Sequence, residues 1–198
     1  MLLSYEELIE LVQAGVIDAP LENVHDCPVN GTSIDVRIGG TLLVETHPDL
    51  SRPDSHVVDL SDKANPRLPA FETVVIDPRI GYELRPGGCA LGATVERFRL
   101  PFDISCEFKL KSSVARCFLN NMLATWCDPS WGYEVAGDTR LTLEIHNCLR
   151  WHFFRLYPGM KLGQMVFYRS KPVPRDRSYA VRGQYNGTAE VAESRGVR

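Results

Sequence analysis

Apolar positions along this chain change period after about residue 30, from helical spacing to alternation. Near the N-terminus Leu8, Ile9, Leu11 and Val12 form one stripe, Ser4 and Glu7 stand at capping-box spacing, and Gly15 closes the pattern. One short helix is predicted there, packed at the edge of the domain. Beyond it come short runs at strand spacing: Ile34, Val36 and Ile38, then Thr41 to Val44, Val57-Val58, Thr73 to Ile76 and Cys89 to Val95. The series continues through Phe108 to Leu110, Leu141 to Ile145 and Met165 to Tyr168, with turn signals such as Arg85-Pro-Gly-Gly and Tyr157-Pro-Gly between runs. Many short strands with turn punctuation predict a mainly β sandwich or distorted barrel. The polar stretch from Pro48 to Pro69 reads as a long loop, and Pro172 to Arg198 as a tail with little apolar content.

Composition narrows the choice. With 198 residues and 44% hydrophobic content, the chain suits a single domain over 1–198 with a sizeable core. A formal net charge of -3 gives no global basic field, so no nucleic-acid partner is expected, although a few local cations could hold a free nucleotide. No run of 18 apolar residues occurs and the first residues lack a targeting pattern, which predicts a cytoplasmic protein without a membrane partner. The six cysteines (27, 89, 106, 117, 127 and 148) form no C-x-x-C pair and are expected to be reduced and mostly buried. The five histidines share no metal-ligand spacing, and neither H-x-E nor P-C-x-x-C is present, so no metal residues and no zinc are predicted.

Three segments carry polar residues that invite a chemical reading. Ser112-Ser113-Val114-Ala115-Arg116 reads as a helix or turn start whose hydroxyls cap backbone amides. With Lys111 at its other end, the same segment could also gather hydroxyls, amides and positive charge around phosphates. Glu144 shares a strand face with Thr142 and His146, opposite Leu141, Leu143 and Ile145, and is either a solvated glutamate or a proton carrier. Asp128-Pro129-Ser130-Trp131 reads as a turn whose aspartate accepts backbone hydrogen bonds.

Taken in order, Lys111 to Arg116, Asp128 to Trp131, Leu141 to Asn147 and Pro158-Gly159-Met160 resemble the dCTP deaminase branch of the trimeric dUTPase superfamily. Asn30 to Gly39 resembles the family's early strand, and Arg85 to Pro101 its strand pair before the serine motif. The resemblance implies a distorted, jelly-roll-like β-barrel forming a homotrimer, with active sites between subunits and dCTP as substrate. It implies Mg2+ carried on the triphosphate, and dTTP as a possible inhibitor. Glu144 would be the acid/base group for zinc-independent deamination to dUTP and ammonia, with catalytic partners Ser112 and Arg116. Lys111, Ser113, Val114 and Ala115 would lie along the phosphates, Thr142 and Leu143 would meet the cytosine edge through their backbone, and Ala124 would sit in the loop oriented with Glu144. Asp128 would contact the 3'-hydroxyl of deoxyribose. From the closing tail, about 172–198, Tyr179 would contact the nucleotide, with Gln184 and Thr188 where the family has lysine and glutamine.

Departures from the family pattern keep other activities in play. Lys111 replaces an arginine, residues 117–127 are one residue short without the usual histidine, and residues 132–139 are an apparent insertion. The alternatives are a bifunctional deaminase/dUTP pyrophosphatase, a deaminase of 5-substituted dCTP, and a non-catalytic trimeric nucleotide sensor.

Overall fold

The computed structural model describes residues 1–20, 27–121, 124–134 and 138–197. The chain opens with helix α1 (Tyr5–Gln13), which begins where expected: Glu7 N–H donates to Ser4 Oγ at 3.3 Å, and Ser4 N–H donates to the Glu7 carboxylate at 2.9 Å. Gly15, at φ +69°, ends it. Leu8 is fully buried, so the apolar stripe anchors α1 to the core.

Strands follow as β1 (Ile17–Asp18), β2 (Val29–Asn30), β3 (Ser33–Glu45), β4 (Phe71–Val75), β5 (Tyr82–Leu84), β6 (Cys89–Thr94), β7 (Arg97–Phe98) and β8 (Ile104–Leu110). A single helical turn, α2 (Ser112–Ala115), precedes β9 (Leu119–Asn121), β10 (Trp126–Cys127), β11 (Thr142–Asn147), β12 (Phe154–Leu156) and β13 (Lys161–Arg169). A 3-10 turn (Arg175–Arg177) and helix α3 (Tyr179–Arg182) lie in the tail.

The main sheet runs β10-β8-β13-β3-β6-β11-β9, with β2 and β4 also paired to β3 and every pairing antiparallel. Strand β3 makes it curl. Its first half, Ser33 to Arg37, pairs with β13, and its second half, Leu42 to Val44, pairs with β6. Register shifts between Ile38 and Leu42, across Gly39-Gly40. A Cβ at Gly39 would stand 3.1 Å from the Ala93 carbonyl oxygen, so glycine fits the close approach of the two strands at the bend. The two strands expected over 34–44 are therefore one strand with a bend. The result is a curled half-barrel, mainly β with a short N-terminal helix.

Core side chains come from alternate positions. On β11, Leu143, Ile145 and Asn147 are buried, while Thr142, Glu144 and His146 are half-buried on the other face. Leu143 packs with Ile38, Leu42, Phe98, Phe108 and Phe167 in one cluster. Each such large side chain contributes roughly 1.5–3 kcal/mol on burial. Asn147 closes the end of the strand by donating from Nδ2 to the carbonyls of Leu84, Arg85 and His152.

Several expectations need correction. Val57-Val58 forms no strand: residues 48–69 are turns and bends with one isolated bridge, Asp59 to Arg67. Val57 and Val58 are both exposed, so no partner face rewards alternation there. The cysteines are free but not mostly buried: Cys106 and Cys127 are buried, Cys89 is half-buried, and Cys27, Cys117 and Cys148 are exposed. The last two lie in the turn after α2 and just past the end of β11, where the packed sheet stops. Residues 135–137 of the apparent insertion, 122–123 of the preceding segment, and His25 lie outside the described residues.

Among the described residues no helix is long and apolar enough to cross a membrane. Likewise, no group of three His, Cys, Asp or Glu side chains among them could hold a metal ion.

Candidate active site

Glu144 stands mid-strand on β11, opposite Leu91 of β6. Its Oε2 accepts a hydrogen bond from the Ala124 backbone N–H at 3.0 Å. Burial raises its pKa above the ordinary carboxylate value, and the Ala124 N–H opposes only part of that rise. A carboxyl group in this state holds its proton more readily than an ordinary carboxylate and can both accept and return one.

The side chain opens into a cavity of about 740 Å³ shared with Thr142, Ala124, Trp131 and Arg140. Tyr179, Tyr185 and Thr188 of the tail line the same cavity. The tail is fixed there by backbone-directed bonds. Ala180 N–H donates to Ser130 Oγ at 2.9 Å, Gly187 N–H to Thr139 Oγ1 at 3.0 Å, and Arg140 N–H to the Thr188 carbonyl at 2.9 Å. Gly132 N–H donates to Asn186 Oδ1 at 2.6 Å. Low apolar content thus does not leave the tail solvated, because polar bonds to the 130–140 segment replace hydrophobic anchoring. Tyr179 is half-buried; burial raises its pKa, while the Tyr185 N–H, donating to its oxygen at 3.3 Å, pulls the other way.

Trp131 is buried and stacks on Phe98 with ring centroids 5.2 Å apart. Gly132 follows at φ +77°, where a Cβ would lie 1.9 Å from the Phe98 carbonyl oxygen. Asp128 is exposed and lines a second cavity of about 490 Å³ together with Tyr179 and Gln184. Its Oδ1 accepts from the Trp126 indole N–H at 3.1 Å, a side-chain partner in place of the backbone donors expected of the turn.

The serine segment lies elsewhere in this chain. Ser112 and Ser113 make no capping bond to α2, whose cap position is Lys111. Ser112, Ser113, Ala115 and Arg116 are exposed, and Val114 packs in the core. The Lys111 ammonium is held by Asp35 Oδ1 at 2.6 Å. Phe118, at φ +57°, turns the chain into β9, which pairs with the far end of β11: Leu119 opposite Asn147 and Asn120 opposite His146. Three residues of extended strand separate Glu144 from Asn147 by roughly 10 Å. None of the residues from Lys111 to Arg116 lines the Glu144 cavity.

One chain therefore brings together Glu144, Ala124, Thr142, Tyr179 and Thr188, and places Asp128 and Gln184 in the adjoining cavity. It does not bring Ser112 or Arg116 to them. Leu143 turns its side chain into the core, leaving only its backbone toward β6. The sequence reading missed Arg140 and Tyr185. Arg140 directly precedes the Leu141 run and could have been noticed as a cation beside an acid-bearing strand. Tyr185 carried no signal beyond its place in a tail of unassigned structure.

A curled half-barrel of antiparallel strands with a short N-terminal helix is the dUTPase-like architecture. The solved 2'-deoxycytidine 5'-triphosphate deaminase from Agrobacterium tumefaciens shares it, with a TM-score of 0.59 at 18% identity over 85% of this chain. The match covers 48% of that longer chain, so this protein spans about half of it.

A family model described as dCTP deaminase-like matches residues 2–170, and the chain belongs to that family. Among its relatives are the dUMP-forming dCTP deaminase of Beutenbergia cavernae, 30% identical over 98% of this chain and 94% of its own, and the dCTP deaminase of Haloarcula marismortui, 32% identical over 94% and 90%.

Proposed function

We propose that this protein deaminates dCTP hydrolytically, releasing ammonia and forming dUTP, with Glu144 as the proton carrier. The observation that carries the reading is a half-buried carboxyl group of raised pKa at the wall of a large cavity, in a chain of the dCTP deaminase-like family. In the reaction, Glu144 takes a proton from water as its oxygen adds to carbon 4 of cytosine. It passes that proton to the ring nitrogen; the proton of the new carbon-4 hydroxyl then moves through Glu144 to the amine, the C–N bond breaks, ammonia leaves and the carbonyl remains. The Ala124 N–H keeps the carboxyl group aimed.

Ser112 and Arg116 come from a neighbouring copy in a homotrimer, which accounts for their distance from Glu144 within one chain. Mg2+ arrives on the triphosphate. A second reading, further hydrolysis to dUMP and pyrophosphate, is favoured by relatives such as the Beutenbergia cavernae and Leifsonia xyli enzymes, which are dUMP-forming.

Purified protein incubated with dCTP and Mg2+, with ammonia, dUTP, dUMP and pyrophosphate followed together, separates these readings. Binding without ammonia release would leave a nucleotide sensor. Glu144→Gln should lower kcat by about 10²–10⁴-fold, the usual worth of a positioned proton carrier. Wild-type turnover in that variant would remove Glu144 from the mechanism. Mixing inactive Glu144→Gln and Ser112→Ala chains should restore activity at about a quarter of sites if each site joins two copies.

A further inference from the structure

Two of the cysteines face each other across a strand pair. Cys106 of β8 stands directly opposite Cys127 of β10. Phe108 N–H donates to the Thr125 carbonyl at 2.8 Å, and the cysteines lie two residues further along the same ladder, so they fall at the same kind of hydrogen-bonded site. Cα atoms at such a site are about 5.5 Å apart, within the roughly 4.4–6.8 Å that a disulfide spans. Opposed residues share a face of the sheet, and both side chains belong to the core cluster. Among the described residues no other cysteine meets a cysteine in this way: Cys89 faces His146, and Cys27, Cys117 and Cys148 lie outside the strands.

The pair is asymmetric in access. Cys106 is fully buried, and burial, followed by the adjacent Cys127, raises its thiol pKa well above the ordinary value, so Cys106 keeps its proton. Cys127 is 6% exposed and lines the cavity that holds Glu144, an opening suited to a peroxide and too narrow for a bulky alkylating reagent. Burial slows the oxidation of both thiols. Adjacency decides the product, because a sulfenic acid formed at Cys127 meets the Cys106 sulfur before any thiol in solution.

We propose that Cys106 and Cys127 are a thiol-oxidation site that closes to a reversible disulfide when hydrogen peroxide enters the Glu144 cavity. The Cys127 sulfur attacks one peroxide oxygen, the O–O bond breaks, and the other oxygen leaves as water with the thiol proton. The Cys106 sulfur then attacks the sulfenic sulfur; the S–S bond forms, the S–O bond breaks, and the hydroxyl leaves as a second water with the Cys106 proton. The two thiols together give up two electrons, and the peroxide is reduced to water. A dithiol in excess reverses the bond by exchange.

Closure acts on the strand that serves Glu144. β10 is an edge strand of the main sheet, hydrogen-bonded to β8. Opposed Cβ atoms start about 4.5–5.5 Å apart and a disulfide draws them to about 3.8 Å, so β10 shifts roughly 1 Å toward β8. The same segment joins Ala124, whose N–H holds Glu144 at 3.0 Å, to Asp128. A displacement of that size beside reacting groups costs up to about 10²-fold in rate.

For the test, the full chain is reduced, exposed to hydrogen peroxide, quenched by unfolding in excess alkylating reagent and mapped by mass. The expected product is a bond between Cys106 and Cys127; fragmentation distinguishes Cys127 from Cys117, which shares its tryptic peptide. In Cys106→Ala the Cys127 sulfenic acid should accumulate and be trapped by dimedone on unfolding, and in Cys127→Ala the Cys106 thiol should stay reduced. Turnover of dCTP, the one readout that rests on the deamination reading, should fall about ten- to hundredfold on oxidation and return with dithiothreitol. Cys127→Ala should lose this sensitivity. Both thiols found free after the exposed cysteines have oxidised, or a bond from either to another cysteine, overturns the site. A bond between Cys106 and Cys127 with turnover unchanged overturns the coupling through β10. No ammonia from the reduced protein defeats deamination and leaves the disulfide, which mapping detects without turnover.

Discussion

Asp35→Asn probes how the serine-bearing turn is attached to the sheet. Asp35 sits on β3 with its side chain 8% exposed, where it takes Lys111 at 2.6 Å and Lys161 at 3.4 Å. Lys111 is the cap residue of α2, and its backbone N–H also donates to the Leu162 carbonyl at 3.0 Å. One short, largely buried charge-assisted bond contributes about 1.5–3 kcal/mol. The Lys161 contact adds little, since that side chain is 60% exposed and solvent screens it. Asparagine keeps an acceptor and relieves the cost of burying a carboxylate, which offsets part of the loss. The expected net change at pH 7 is therefore about 1–2 kcal/mol of lost stability. With a urea slope of about 2 kcal/mol/M, the midpoint should fall by about 0.5–1 M.

The pH dependence supplies the stricter test. Burial alone would raise the Asp35 pKa, but hydrogen bonds from Lys111, Asn30 and Lys161 outweigh it and hold the group below the ordinary aspartate value. A depressed carboxylate stabilises the fold above its unfolded pKa and loses that contribution as pH falls through the folded one. The gap between wild type and Asp35→Asn should persist from neutral pH to about pH 4 and close below it. Urea melts at fixed protein concentration, run with Lys111→Met and the double variant, give the coupling energy. A coupling near zero, or a gap that survives in strong acid, would refute the ion pair as the attachment.

Four further outcomes follow from the geometry. Because burial raises the Glu144 pKa and the carboxylate form must accept the first proton, kcat/KM for dCTP should fall as pH drops through a value above the ordinary carboxylate range; a limb at the ordinary value would contradict the burial argument. The same raised pKa withdraws stability as pH rises through it, so Glu144→Gln should show no loss of Tm at pH 8, checked by calorimetry. Gly132→Ala, forced against the Phe98 carbonyl oxygen at positive φ, should cost about 3 kcal/mol or more and lower Tm by roughly 6–12 °C. A thiol reagent should spare Cys106 and Cys127 until the chain unfolds; mass mapping that found either labelled in the native protein would contradict their burial.

What the sequence made readable was what has a period. The alternation through Leu141 to Ile145 predicted both the strand and the face on which Glu144 stands, because one face of β11 is core and the other is not. The capping box at Ser4 and Glu7 was readable because its chemistry is complete within four residues. Strands β1, β2, β5, β7, β9, β10 and β12 are two or three residues long and were missed as separate elements, since so short a run has no alternation to detect. Gly39-Gly40 read as a strand boundary because glycine punctuates both turns and bends, and only the approach of Ala93 distinguishes them.

The tail shows a different limit. Its attachment uses Ser130, Gly132, Thr139 and Arg140, side chains and amides that lie about 50 residues away in sequence and look like ordinary loop chemistry. Polar docking leaves no hydrophobic stripe, so composition alone resembles that of a solvated segment. Yet this docking creates both cavities: remove the tail and Tyr179, Tyr185 and Thr188 leave the Glu144 wall, while Arg177 and Arg182 leave the second. Motif order singled out Glu144 and Ser112 without indicating that one chain holds them apart. The carboxylate-rich cavity is lined by residues of one chain, whereas the serine segment lies exposed away from it. In the proposed homotrimer, assembly would act on α2 and substrate closure on the tail, and substitutions in the two should separate in their dependence on protein concentration and on nucleotide concentration.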